Sequence, residues 1–213
     1  MPRMTIILSV LCVLMRAFYE WLSPLQQRIL IEVAGANPAS LAAALNNTGP
    51  SLGSAGWGLL VMALFIHSGW LHLFGNIAYL WVFGIPVERR LGPFSLAFVF
   101  VAGGVLAHIM VALRLPQLDV PVIGASGAVS AVVGAYLGLF PRGRIGLFLP
   151  LGLYLQFARV PAILVIGSWF TLQLLYTVFG PINAAVAWWT HLAGFALGLS
   201  ITLLSKALLQ IRR

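Results

Sequence analysis

Charge is scarce in this chain. Of its 213 residues only 8% are charged, four of them acidic, while 61% are hydrophobic. No single water-soluble domain can bury that share of apolar side chains, so the composition describes an integral membrane protein. Asp119 is the only aspartate, which excludes intramembrane catalysis by a pair of aspartates. Cys12 is the only cysteine, which excludes a disulfide within one chain. The twelve basic residues give a formal charge of +8. They lie scattered in short loops and tails rather than in a stripe interleaved with aromatics, so nucleic acid is not an expected partner. His67 and His72 stand five apart with no glutamate beside the first, unlike an HExxH zinc site, and neither a metal nor another cofactor is expected.

The apolar runs are plentiful. A span needs roughly 20 residues to cross about 30 Å of hydrocarbon. Runs of suitable length fall at about residues 4–19, 70–86, 94–113, 124–140, 160–178 and 187–205, which gives six transmembrane helices in one domain over 1–213. The first run ends in RAFYEWL, without the small-residue cleavage site of a signal peptide, so it reads as a retained helix from whose end Arg16 snorkels outward. Residues 57–87 are too long for one straight crossing, and HSGW at 67–70 supplies the break. Residues 57–66 become a helix near the interface, within a long first loop over 20–69. RIGLFLPLGLYLQF at 144–157 contains Pro150 and Gly152 and reads as a second interfacial segment. A short basic tail occupies 206–213.

Lysine and arginine set the orientation. Arg3, Arg89, Arg90, Arg142, Arg144, Arg159, Lys206, Arg212 and Arg213 fall at the N-terminus, the second and fourth connections and the C-terminus, against Arg28 and Arg114 in the first, third and fifth connections. Both termini are therefore expected in the cytoplasm, with helices two, four and six running inward from the outer face. His72 and Asn76 then share a face near the start of helix two, Ser126 opens helix four in GASG, and His191 lies about one turn into helix six. Four hydrogen-bonding side chains from three helices thus meet at one depth. Ser126, Ser130, Gly134 and Gly138 form a smooth stripe on helix four, and His191, Gly194 and Gly198 share a face of helix six, so close packing would bring imidazole to hydroxyl.

Each residue has a plainer reading: a membrane serine often bonds its own backbone, and His191 or Asn76 alone could simply join helices. Their coincidence at one depth favours function, because polar groups inside a membrane are costly. Serine needs a base, and histidine suits that role near neutral pH. His72, Asn76 and the amides opening helix four could serve a developing oxyanion. Asp119 is the only acid placed where it could orient His191, and it is a weak candidate. His67 reads as a structural residue capping the broken helix.

HSGWLHLFGN, GASG and HLAGFALG, in this order and on these helices, together with VERRLG at 87–92, resemble the rhomboid intramembrane serine proteases. The resemblance runs from Trp57 onward. It implies a six-helix bundle, Ser126 as nucleophile, His191 as base without an acidic partner, and His72 and Asn76 as oxyanion contacts. Gly124, Gly127, Gly194 and Gly198 would be structural neighbours of that site. It also implies cleavage of single-span membrane proteins, with lateral entry near helix five and the VFGPINAAVAWW connection. Three features depart from the family: Gly58 follows Trp57 where arginine is common, Ser130 stands where an aromatic often stacks on the histidine, and a cytosolic regulatory domain is not expected ahead of helix one. The rival readings are a rhomboid-like protein that binds helices without cutting them and, less well supported, a small transporter. The expected location is a prokaryotic plasma membrane, with the site toward the outer face.

Overall fold

The computed structural model describes residues 1–49, 53–151, 154–179 and 183–209. Helix α1 (Arg3–Trp21) is followed by three short helices, α2 (Pro24–Ala34), α3 (Pro38–Leu45) and α4 (Gly53–Ala63). Proline opens α2 and α3 where a missing N–H costs nothing. Ser23 with Gln26 forms a capping box on the first, and Asn37 caps the second. After a break at 64–69, α5 (Trp70–Tyr79), a π-helical turn (Leu80–Gly84) and α6 (Ile85–Leu91) run on as one helix. Then come α7 (Pro93–Arg114), α8 (Ser126–Leu139), an antiparallel pair β1 (Arg144–Leu151) and β2 (Tyr154–Pro161), α9 (Ala162–Phe179) and α10 (Asn183–Leu209).

Among the described residues five helices are long and apolar enough to cross a membrane: Arg3–Trp21, Trp70–Leu91, Pro93–Arg114, Ala162–Phe179 and Val186–Ala207. The stretch 124–140, expected as a further span, contains the shorter apolar helix α8, whose 14 residues rise only about 21 Å. Its shortness follows from its position. Nearly every residue of α8 is buried, from Gly127 through Tyr136 and again at Gly138, so the helix is wrapped by its neighbours rather than by lipid.

Small residues make this central position possible. A Cβ at Gly134 would run into the carbonyl oxygen of Phe195, one at Gly198 into that of Ala131, and one at Gly194 into that of Gly127. Helices α8 and α10 therefore meet backbone to backbone at Gly127, Ala131 and Gly134 of α8 and at Gly194, Phe195 and Gly198 of α10, while Gly138 faces the Thr202 side chain. On the far side of α8, Phe83 packs edge-on to Tyr136 with ring centroids 5.1 Å apart, within a core that includes Leu73, Leu80, Val99 and Phe100.

One expectation from sequence is corrected. Arg16 does not reach outward: it is buried, pairs with Glu20, and lies 5.3 Å from the Tyr19 ring and 5.4 Å from that of Trp70. The aromatic surfaces stabilise its cation without full hydration. The apolar stretch at 144–157, expected as an interfacial segment, contributes to the antiparallel pair of β1 and β2, whose register runs from Arg144↔Pro161 to Leu151↔Tyr154. Pairing between strands satisfies backbone groups that Pro150 would leave open inside a helix, and in a two-stranded sheet both strands are edges that tolerate proline. Gly180 and Pro181, expected to break the chain before helix six, lie outside the described residues, as do Arg212 and Arg213.

Glu88 joins the first helix to the bundle. Its buried carboxylate accepts from the Met4 and Thr5 amides, each at 2.8 Å, and from the Thr5 hydroxyl at 2.7 Å. An anion here meets the unsatisfied N–H groups and positive dipole end of α1. Replacing it with alanine strands those donors. Glu88→Ala should therefore lower stability by about 1–3 kcal/mol, read as a reduced Tm in detergent, whereas Arg89→Ala at the exposed neighbouring position should leave Tm nearly unchanged.

Candidate active site

The connection into α8 is held from below by the first loop. Ala36 and Val122 exchange two backbone hydrogen bonds of 2.9 Å, the Asn37 amide donates to Asp119 Oδ1 at 2.7 Å, and the Gly124 amide donates to the Ala63 carbonyl at 2.9 Å. Asp119 is thus engaged by the first loop, in an exposed position, and does not act on His191. Gly124 has φ +113°, a conformation L side chains rarely adopt, and a Cβ there would stand 2.8 Å from His72 Cε1. Glycine is required so that the chain can turn into α8 with the His72 ring against its backbone.

Ser126 is the first residue of α8, where the opening amides have no partner within the helix. His72, Asn76, Ser126 and His191 line one cavity of about 360 Å³, together with Tyr79 and Trp169. Ser126 and His191 do not hydrogen-bond to each other, contrary to the contact that stripe packing suggests: the His191 Nε2 is buried with no partner. Catalytic hydrogen bonds are often long before substrate binds, so shared lining of the cavity is the informative observation.

Other partners hold the His191 ring. Its Nδ1–H donates to Gln173 Oε1 on α9, and its face lies 5.2 Å from the Trp169 ring, one turn earlier on the same helix. Trp169 supplies the aromatic neighbour that Ser130 does not. Ser130 is buried and donates instead to the Ser126 carbonyl at 2.7 Å. Neither Trp169 nor Gln173 is singled out by sequence reasoning. A signal was present: they are four apart, and Gln173 is the only amide side chain in α9.

His67 is a hub beneath the site. Its Nδ1–H donates to the Phe65 carbonyl at 3.0 Å, which leaves Nε2 to accept from Asn76 Nδ2 at 3.1 Å and from the Ala125 amide at 3.5 Å. Its ring meets that of His72 nearly edge-on, with centroids 5.2 Å apart. One imidazole thereby ties the break at 64–69 to α5 and to the start of α8. Gly127 and Gly194 complete the setting, since a Cβ on Gly127 would stand 2.7 Å from Ala107 Cβ and Gly194 presses on the Gly127 carbonyl. Gly198 continues that contact one turn on.

Residues 53–207 match the family model of the Rhomboid domain. The chain belongs to the rhomboid family. Among curated relatives it is similar to YdcA of Bacillus subtilis (strain 168), provisionally named a rhomboid protease, at 34% identity over 92 residues, covering 42% of this chain and 46% of that protein. It is similar to Rhomboid-like protein 11, chloroplastic, of Arabidopsis thaliana at 42% identity over 73 residues, covering 34% of this chain and 26% of the relative. It is also similar to the human Presenilin-associated rhomboid-like protein, mitochondrial, at 27% identity over 137 residues, covering 63% and 33% of the two chains. The chain thus spans less than half the length of these relatives. With its apolar helices, this rhomboid is a multi-pass membrane protein.

Burial pushes the His67 imidazole from 6.5 down to about 4, so the folded state binds its proton less readily than the unfolded chain does. The stability this neutral ring contributes is complete above pH 6.5 and is lost as pH falls toward 4. At 1.36 kcal/mol per unit the loss is on the order of 3 kcal/mol. In thermal unfolding of wild type and His67→Gln, Tm of the wild type should fall more steeply between pH 6.5 and pH 4. Equal slopes would show that His67 is not the group titrating.

Proposed function

We propose that this rhomboid is an intramembrane serine endopeptidase that cleaves single-span membrane proteins through a Ser126 and His191 dyad. The observation that supports this reading best is the cavity that Ser126, His191, His72 and Asn76 line together. Ser126 Oγ attacks the scissile carbonyl carbon while His191 Nε2 takes the hydroxyl proton. The tetrahedral oxyanion is stabilised by the Asn76 amide, by His72 and by the opening amides of α8. Asn76 spends one N–H on His67 and keeps the second for this purpose. The C–N bond then breaks, His191 returns the proton to the leaving amine, and the acyl group remains on Ser126. Water, deprotonated by the same imidazole, releases it.

A peptide bond within a helix is shielded by its own hydrogen bonds, so the substrate unwinds locally at the cavity. In this reading the bundle has six membrane helices, with α8 as the short central one, in a prokaryotic plasma membrane. Both termini are cytoplasmic and the cavity faces outward. Lateral entry lies beside α9, whose outward face carries exposed Leu172, Leu175, Tyr176 and Phe179 and which has only Ala162 and Ile166 fully buried. The second reading, a rhomboid-like protein that binds transmembrane helices without cutting them, draws on the missing hydrogen bond between Ser126 and His191.

Purified protein in liposomes with a single-span substrate separates the two. Ser126→Ala and His191→Ala should each abolish cleavage, and the double variant should be no worse, because members of a catalytic unit are not additive. His72→Ala or Asn76→Ala should lower turnover by about a hundredfold to a thousandfold. Cleavage undiminished in Ser126→Ala would remove the nucleophile, and none by wild type would favour the binding reading. Orientation is tested separately, in a background with Cys12 replaced. Ser126→Cys should react with a membrane-impermeant thiol reagent from outside and Arg142→Cys, in an exposed loop, only from the cytoplasmic side. The reverse pattern would invert the topology.

A further inference from the structure

The polar side chains of α9 divide into two groups. Ser168, Thr171 and Thr177 each donate to a carbonyl of their own helix, at 3.0, 2.9 and 2.9 Å. Gln173 instead reaches α10, where its Oε1 accepts from His191 Nδ1–H. We infer that Gln173 is the positioning residue of this site: its amide oxygen holds His191 in the tautomer whose Nε2 lone pair is open toward Ser126. This inference rests on the proteolytic reading for its consequence but not for its geometry.

With its oxygen toward the ring, the Gln173 amide selects the tautomer. An amide oxygen can only accept, so the proton sits on Nδ1 and Nε2 is left as an acceptor. That nitrogen is buried without a protein partner, free for a hydroxyl proton. The Gln173 Nε2 is also buried and unpartnered, which costs about 1–3 kcal/mol and argues against the contact as a device for stability alone. Turned over, the amide would donate to Nδ1, drive the proton to Nε2 and remove the base. Trp169, one turn before, limits the ring's tilt. Asp119 cannot substitute, since it is bound by Asn37, and among the described residues no carboxylate, lysine or arginine lines the cavity. The titratable groups that line the cavity with His191 are His72 and Tyr79 of α5; Arg114 of α7 stacks 4.7 Å from the ring of Trp189, two residues before His191 on α10.

The test uses full-length wild type, Gln173→Leu and Gln173→Glu in liposomes. Leucine fills similar space without an acceptor. Its kcat should fall about tenfold to a hundredfold, less than the roughly hundredfold to ten-thousandfold contribution of a general base because the base is misaligned and not removed, with KM changed less than about twofold. Glutamate still accepts from Nδ1–H, so kcat near pH 7 should be largely restored, while the acid limb of kcat/KM moves about one unit higher in pH through its negative charge. NMR of protein labelled with 15N-histidine should show the Nδ1–H tautomer of His191 in wild type and a mixture with Nε2–H in Gln173→Leu. Wild-type kcat and tautomer in the leucine variant, or an unmoved acid limb in the glutamate variant, overturns the inference. Because the tautomer is read without substrate, a wild type that cleaves nothing refutes the proteolytic reading while the NMR still decides the role of Gln173.

Discussion

The contact between the backbones of α8 and α10 is the constraint from which the rest of this molecule follows. Gly194 and Gly198 press on the carbonyls of Gly127 and Ala131, and Gly134 presses on that of Phe195. No side chain separates the two helices along this seam, so their register is set within a fraction of an ångström. Dispersion between closely apposed backbones, rather than the hydrophobic effect, supplies the attraction within lipid. Ser126 opens one helix and His191 lies a turn before Gly194 on the other. Any side chain larger than hydrogen on the seam would pry apart the two residues on which chemistry depends.

That seam aligns α8 with α10 but leaves the third polar element, α5, to be placed by hydrogen bonds. His67 does this with one ring: the Phe65 carbonyl takes its proton, and the freed nitrogen gathers Asn76 from α5 and the Ala125 amide from the start of α8. A neutral imidazole suits a buried position because it can donate and accept at once without the cost of a charge. Lysine could only donate and a carboxylate only accept. The first loop adds a further layer through Asn37, Ala36 and Ala63, which hold the chain leading into Gly124.

How much of this was legible in the sequence depends on range. The positions of the long helices, the break at HSGW and the two glycine stripes could be read because each rests on local periodicity or composition. The grouping of Ser126, His191, His72 and Asn76 followed from equal depth along helices two, four and six, which run in the same direction. What escaped rests on contacts between distant segments. Nothing local marks Gln173 as a partner of His191, eighteen positions away, or Glu88 as the cap of α1, 83 positions from Thr5. The strand pairing of 144–151 with 154–161 was hidden for another reason: an apolar run carries the same composition as strand or helix, and periodicity alone does not separate them.

The absence of acid around His191 has a physical logic in this setting. A carboxylate beside the imidazole would strengthen it as a base, but an ion placed in a low-dielectric cavity pays a desolvation cost of several kcal/mol. It would also favour the protonated ring, so that the nitrogen Ser126 needs becomes free only at somewhat higher pH. An amide oxygen orients the same N–H with a dipole instead of a charge and carries neither penalty. The chain's only aspartate is meanwhile used at an exposed position to pin the connection that leads to Ser126. Scarcity of charge, the first property of the sequence, is therefore compatible with acid–base chemistry so long as neutral groups hold the geometry and the only charges that form are the transient ones of the reaction itself.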